Sequence, residues 1–206
     1  MFSSQSIRAQ FTTPTLVMMA VGIAINIAVG HTTQNIIKFP SLYLDSIGTV
    51  LVGALAGPWA GLATGVLANV IWGLVLGIPS IIPFAITAAF IGFLAGVFGR
   101  RGWFASSGSP RTAGLAAVGG VITGVVAAII SAPIAYYVFG GTTGGGTDAL
   151  VAIFRSMTDN IFLAVQLQGF ASDPVDKLVT YLVAFAILLA VPTSVKTIFP
   201  QGEKTV

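Results

Sequence analysis

Residues 46–99 contain no Asp, Glu, Lys or Arg, an uncharged run of 54 residues. As one helix it would extend about 80 Å, far beyond a hydrocarbon core of about 30 Å, so it has to fold back on itself. The breaks are written in Gly and Pro: Gly57-Pro58 before Trp59, then Gly77-Ile78-Pro79-Ser80, with Pro83 just inside the next segment. They divide the run into spans near residues 42–56, 59–76 and 81–98, the first short enough to be tilted or partly re-entrant. Only 7% of the 206 residues are charged and 55% are apolar, whereas a soluble domain carries roughly 25% charged residues. The bilayer is the solvent that fits such a chain.

Upstream, residues 14–29 form an apolar stretch after Arg8, interrupted by Asn26, with Pro14 suited to a first helical turn. Its length and the lack of a small-residue cleavage site argue against a removable signal peptide. Downstream, residues 113–139 and 175–191 supply two more spans. The expected fold is an all-α integral membrane protein, one domain over residues 1–206 with six transmembrane helices and a long outer element before the last. Six spans place Arg8, Arg100, Arg101, Arg111, Lys196 and Lys204 on one side against Glu203 alone, a net +5. The other side carries Lys38, Arg155 and Lys177 with Asp45, Asp148, Asp159, Asp173 and Asp176, a net −2, and the two sides add to the formal +3. The basic side is the cytoplasmic one by the positive-inside rule, so both termini are expected inside.

Several chemistries are excluded. There is no cysteine and His31 is the single histidine, so no thiolate nucleophile, Cys-based zinc site or histidine metal cluster can be assembled. No nucleophile and base pair stands out, and neither an enzyme nor a bound cofactor or metal is expected. The basic residues do not gather on a soluble face, which sets nucleic acid aside. With every acidic residue assigned outside or to the tail, no buried carboxylate pair or relay of titratable groups is expected either.

The polar residues concentrate on the outer side. The first connection holds His31, Gln34, Asn35, Lys38 and Phe39 and leads to Tyr43 and Asp45. The second, residues 140–174, is too long for a simple turn. It opens with Gly140-Gly141-Thr142-Thr143-Gly144-Gly145-Gly146-Thr147-Asp148, which suits either a mobile lid or a backbone nest for an anion but lacks the Gly-Lys-Ser/Thr ending of a P-loop. Residues 149–170 have helical composition, and Asp148, Arg155, Asp159 and Gln166 fall near one side at helical spacing. That stripe either lines an outer cavity or faces water from an interfacial helix. Asp173 and Pro174 suit the cap and first position of the last helix. Asn69 and Trp72 share a helix face, and Asn69 either bonds between helices or belongs to a site. Tyr136 and Tyr137 fit an interfacial aromatic belt.

Small residues recur at four-residue spacing: Ala20, Ala24 and Ala28 in the first span, then Gly53 and Gly57, Gly61 and Gly65, Gly92 and Gly96, Gly120 and Gly124. Such ridges allow close helix approach. With them in place, Leu44-Asp45-Ser46-Ile47-Gly48-Thr49 running into Gly53-Ala54-Leu55-Ala56-Gly57-Pro58-Trp59-Ala60-Gly61, the glycine segment from Phe139 to Asp148, and Ser172-Asp173-Pro174-Val175-Asp176-Lys177 together resemble the substrate-binding S components of energy-coupling factor transporters. The resemblance covers most of the chain. It implies a bacterial or archaeal multi-pass cell-membrane protein that captures a vitamin or related micronutrient from outside. The partners it implies are a transmembrane coupling subunit and two cytoplasmic ATPases. It also implies coupling-subunit contacts at Ala20, Ala24 and Ala28. The outer-half pocket it implies has Tyr43, Asp45, Asn69, Trp72, Phe84, Asn160, Asp176 and Lys177 as positional candidates. The other reading of the same polar face is a membrane ligand-sensing input module of a signalling system.

Overall fold

Proline, glycine and short polar side chains set the helix boundaries. The first helix, α1 (Thr13–His31), is capped by Thr12, whose hydroxyl accepts from the Thr15 amide at 3.4 Å, with Pro14 in its first turn. It runs into a π-helical turn, Thr32–Ile37, closed by Lys38 in the left-handed conformation. After α2 (Ile47–Ala56), Gly57 at φ +122° reverses the chain so that Pro58 starts α3 (Pro58–Val75) at once, a backbone conformation open only to glycine. A 3₁₀ turn, Pro79–Phe84, leads to α4 (Ala85–Arg100). Ser109 caps α5 (Pro110–Phe139), and Gly140 at φ +64° ends it with its amide on the Ala135 and Tyr136 carbonyls. The short α6 (Asp148–Arg155) precedes α7 (Ile161–Ala190), capped by Asn160, and a brief α8 (Thr193–Lys196) and a second 3₁₀ turn, Gly202–Thr205, finish the chain. This is the computed structural model of the chain, describing residues 7–39, 41–106 and 109–206, among which there is no strand.

Helix α2 is the centre of the bundle, with all ten of its residues buried. It contacts α1, α3, α4 and α7, while α5 lies along α7. Asn26, the polar interruption of α1, is buried and ties the two helices together: its Nδ2 donates to Thr49 Oγ1 at 2.7 Å and its Oδ1 accepts from the Gly48 amide at 2.8 Å. Beyond α2, the core is made by Ile91, Phe98, Phe104, Tyr181, Phe185 and Leu188 from α4, α7 and the loop between α4 and α5. Outward faces carry Val17, Val21, Phe90, Val118, Ile129 and Leu189, an apolar surface suited to lipid.

The helix ends sort into two groups. At one end, Gln10 accepts from the Trp59 amide at 2.9 Å, the Gln201 amide donates to the Leu55 carbonyl at 2.8 Å, and Lys196 Nζ donates to Ser106 at 2.7 Å. The N-terminal region, the loop between α4 and α5 and the C-terminal tail therefore meet there. The opposite end holds residues 32–39, 41–46, 76–84 and 140–160.

Four helical stretches are long and apolar enough to cross a membrane: Thr13–Gln34, Pro58–Val75, Pro79–Arg100 and Pro110–Phe139. The two other expected spans differ from expectation. Residues 42–56 are not one helix, because α2 starts only at Ile47 and is about 15 Å long, half a hydrocarbon core. The last helix does not start at Asp173-Pro174: α7 runs unbroken through Pro174, so Asp173 is not an N-cap. Proline there removes the amide that would bond Phe170, a cost carried by the close packing of α5 on this stretch. A Cβ at Gly124 would strike the backbone of Asp173 and Pro174, and one at Gly120 that of Lys177 and Leu178. Any α7 segment of 18 residues includes Asp173, Asp176 and Lys177, which is why α7 is not among the apolar four.

Gly124→Leu is expected to force α5 off α7 and destabilise the bundle by about 2 kcal/mol or more. Gly114→Ala, at a position with open space around it, should leave the protein as stable or slightly more so. Thermal unfolding of the two variants in detergent, followed by loss of monodisperse elution, checks the contrast.

Candidate ligand-binding site

The site is organised by α7, where Gln168, Ser172, Asp173, Asp176 and Lys177 are all buried. Their spacing of four, five, eight and nine residues from Gln168 puts them on one helical face. Lys177 Nζ lies 2.6 Å from Asp176 Oδ2, 3.1 Å from Asp45 Oδ1 and 3.0 Å from Ser46 Oγ. The other Asp176 oxygen accepts from the amides of Tyr43 and Leu44 at 2.7 and 2.9 Å. These bonds hold residues 41–46 in a non-helical path, with Leu44 at φ +52°, and they explain why α2 begins late. Asp45 is fixed further by Gln34 Nε2 at 3.1 Å and Ser46 Oγ at 2.6 Å, and the Thr33 hydroxyl donates to the Tyr43 carbonyl. The absence of a buried carboxylate pair expected from the charge map is thus overturned: Asp173 and Asp176 are buried beside Lys177 because α7 carries them inside the bundle rather than beginning with them at its surface.

Next to this cluster is a cavity of about 340 Å³. Its charged and polar floor is formed by Asp45, Ser46, Gln34, Gln168, Asp173 and Lys177, with Tyr43 beside them. The phenol of Tyr43 is held by Ser172 Oγ at 2.7 Å and by Gln168 Nε2 at 3.1 Å. Asn69, Thr87 and Ser131 add polar groups from α3, α4 and α5, and Ala88, Ile91, Ala127, Ala132, Ala135 and Val165 add apolar wall. From the 3₁₀ turn come Ser80, Ile81 and Phe84, the last stacked on Phe139 at 5.8 Å between ring centroids. Asn69 Nδ2 donates to the Ile81 carbonyl at 3.3 Å, so it bonds between elements and lines the cavity as well.

The glycine segment covers part of this space through Thr143, Gly144, Gly145 and Thr147. The amides of Thr143 and Gly144 donate to Asp148 Oδ1 and Oδ2, both at 2.9 Å. The chain's own carboxylate therefore takes the two donors that a nest for an anion would need. A Cβ at Gly146 would press on the backbone of Lys38 and Phe39, so the segment rests on the connection that follows α1.

Of the expected pocket residues, Tyr43, Asp45, Asn69, Phe84 and Lys177 line the cavity. Three stand elsewhere. Asp176 lies behind Lys177 as its counter-ion. Trp72 is buried under Gly30, where a Cβ would meet both Trp72 and Asp45. Asn160 is exposed and caps α7 through the Leu163 amide at 3.0 Å. The polar stripe of residues 148–166 is divided, because α6 ends at Arg155 and Asp159 falls in the break before α7. Gln166 bonds the Ala128 carbonyl at 3.1 Å instead. Gln168, Asp173, Ser131 and Thr87 are among the polar lining residues that sequence reasoning did not place in the pocket. The signal for the first two was their helical phase with Lys177, hidden once Pro174 was read as a helix start.

Comparison with known protein families, with curated proteins and with solved structures finds no match.

Removing the ammonium should expose how far the cluster holds the fold together. Lys177→Ala leaves the buried Asp176 carboxylate and the half-buried Asp45 carboxylate without their cation and is expected to cost about 3–5 kcal/mol. Asn160→Ala removes only a cap, worth about 1 kcal/mol. Thermal unfolding in detergent should rank the two variants in that order.

Proposed function

We propose that this chain is the membrane-embedded substrate-binding subunit of an ATP-driven micronutrient importer, an S component of the energy-coupling factor type, with ATP hydrolysis on partner chains. The observation that carries this reading is the cavity of about 340 Å³ with a polar, charged floor and an apolar wall, partly covered by a glycine segment. Binding sites for small water-soluble molecules combine these features. No nucleotide-binding motif accompanies the cavity in the sequence, and the proposal places the energy source on partner subunits.

In this reading the chain crosses the cell membrane six times with both termini in the cytoplasm. The second crossing is made by the ten-residue α2 together with residues 41–46, whose irregular backbone is enclosed by protein as membrane depth requires. The sixth is α7, whose charges turn inward, as charges within a bilayer do. The end bearing Arg100, Arg101, Lys196 and Lys204 faces the cytoplasm, and the cavity faces outside. Ala20, Ala24 and Ala28 are exposed along α1, a smooth strip on which a coupling subunit can lie.

Single cysteines at Ser41 and Thr142 are expected to react with a membrane-impermeant reagent from outside intact cells, and one at Ser106 only after permeabilisation; the reverse pattern overturns the orientation. Ala24→Trp is expected to abolish co-purification with a coupling subunit and ATPases while leaving retention of co-purified small molecules intact. Unchanged assembly would remove α1 as the contact surface, and association with a signalling kinase alone would sink the transport reading in favour of a sensor.

A further inference from the structure

The floor of the cavity brings two carboxyl groups, Asp45 and Asp173, against one ammonium. Among the described residues, Lys177 is the only cationic side chain lining the cavity. An ammonium has three protons to give, and the three nearest acceptors of this one, Asp176, Asp45 and Ser46, belong to the protein. Asp173 is not among them. This carboxylate is only 5% exposed, and its hydrogen-bond partners are hydroxyls: Ser131 Oγ at 3.2 Å on Oδ2, Ser172 Oγ at 3.4 Å on Oδ1, and the phenol of Tyr43. The Ser172 hydroxyl has one proton, and the Gln168 carbonyl at 3.0 Å is better placed to take it. A buried carboxylate served by hydroxyls, with no charged donor in hydrogen-bond contact, is costly. A second group is also left short. Thr87 lines the same cavity, is 7% exposed, and its hydroxyl has no hydrogen-bond partner.

We propose that the ligand of this cavity carries a basic nitrogen, protonated at neutral pH, that docks on the Asp173 carboxylate. The rest of the ligand is an uncharged, ring-bearing body lying near Phe84 and the alanine-rich wall of α5, with a polar edge for Thr87. The inference rests on reading the cavity as a ligand site and goes beyond it by fixing the ligand's charge. An anionic ligand would meet Asp45 and Asp173 with no proton of Lys177 to spare, whereas a cation supplies the charge-assisted bond that Asp173 lacks.

The test uses the full chain in lipid nanodiscs and three probes of one shape, benzamidinium, benzamide and benzoate, with affinities from saturation-transfer NMR. Benzamidinium is expected to bind the unmodified chain about tenfold or more tighter than the other two. That preference should shrink to about threefold or less in Asp173→Asn. Equal or tighter binding of benzamide or benzoate overturns the inference, as does a cation preference that Asp173→Asn leaves unchanged. The charge series is read on the unmodified chain, so a variant that fails to fold does not silence it. Mass spectrometry of small molecules co-purified with the chain separates the two levels of the argument. A retained ligand without a basic nitrogen, held equally by Asp173→Asn, overturns the cationic ligand but keeps the binding subunit. No retained ligand and no binding of any probe overturns both.

Discussion

The ammonium of Lys177 is the constraint on which the cavity end of the molecule depends. A charge buried to this degree needs partners, and Lys177 draws them from two distant parts of the chain: Asp176 beside it and Asp45 with Ser46 from the segment before α2. Asp176 in turn holds the amides of Tyr43 and Leu44, so backbone that would otherwise be unsatisfied inside the bundle is paired. The shortness of α2, the path of residues 41–46 and the floor of the cavity follow from this one cluster. The position of Asp173 follows too, since it is carried on the same helical face.

The cavity is the complement of close packing elsewhere. Where glycines meet, as at Gly22 with Gly48, Gly61 with Gly92, and Gly124 with Asp173 and Pro174, backbones approach to a distance that no Cβ would permit. Toward the cavity end the small residues serve differently. Ala88, Ala127, Ala132 and Ala135 face a space that α4, α5 and α7 do not fill with side chains. One residue class thus fastens the bundle in its middle and leaves volume beside the charged floor, and Asn69 holds the 3₁₀ turn over that volume through the Ile81 carbonyl.

Much of the helical framework was legible because it rests on local chemistry. Gly57-Pro58, Pro79 and Gly140 end or start helices where expected, since glycine's left-handed freedom and proline's missing amide act within one or two residues. The same local logic misled at Pro174. There the requirement to bury α7 against α5 outweighed the lost hydrogen bond, and the helix continued. That single difference moved Asp173 from a surface cap to the interior, onto the face that carries Asp176 and Lys177, and with it the chemistry of the site. Trp72 lies off the cavity that Asn69 lines for a related reason: helical phase says which residues share a face, not which side of that face opens on a cavity.

The sequence by itself determined that the chain is helical and apolar, where most of its turns fall, and that its few charges divide into a basic group and an acidic group, because propensity, hydropathy and charge belong to residues and their near neighbours. Only the tertiary structure decided that Asp45 and Lys177, 132 positions apart, share a partly buried ion pair, that Asp173 is bonded by hydroxyls rather than by the Lys177 ammonium, and that Ser131, Thr87 and Gln168 face one space. Those relations are set by helix packing over long sequence separations, where the desolvation of a charge and the volume left between backbones are properties of the whole bundle.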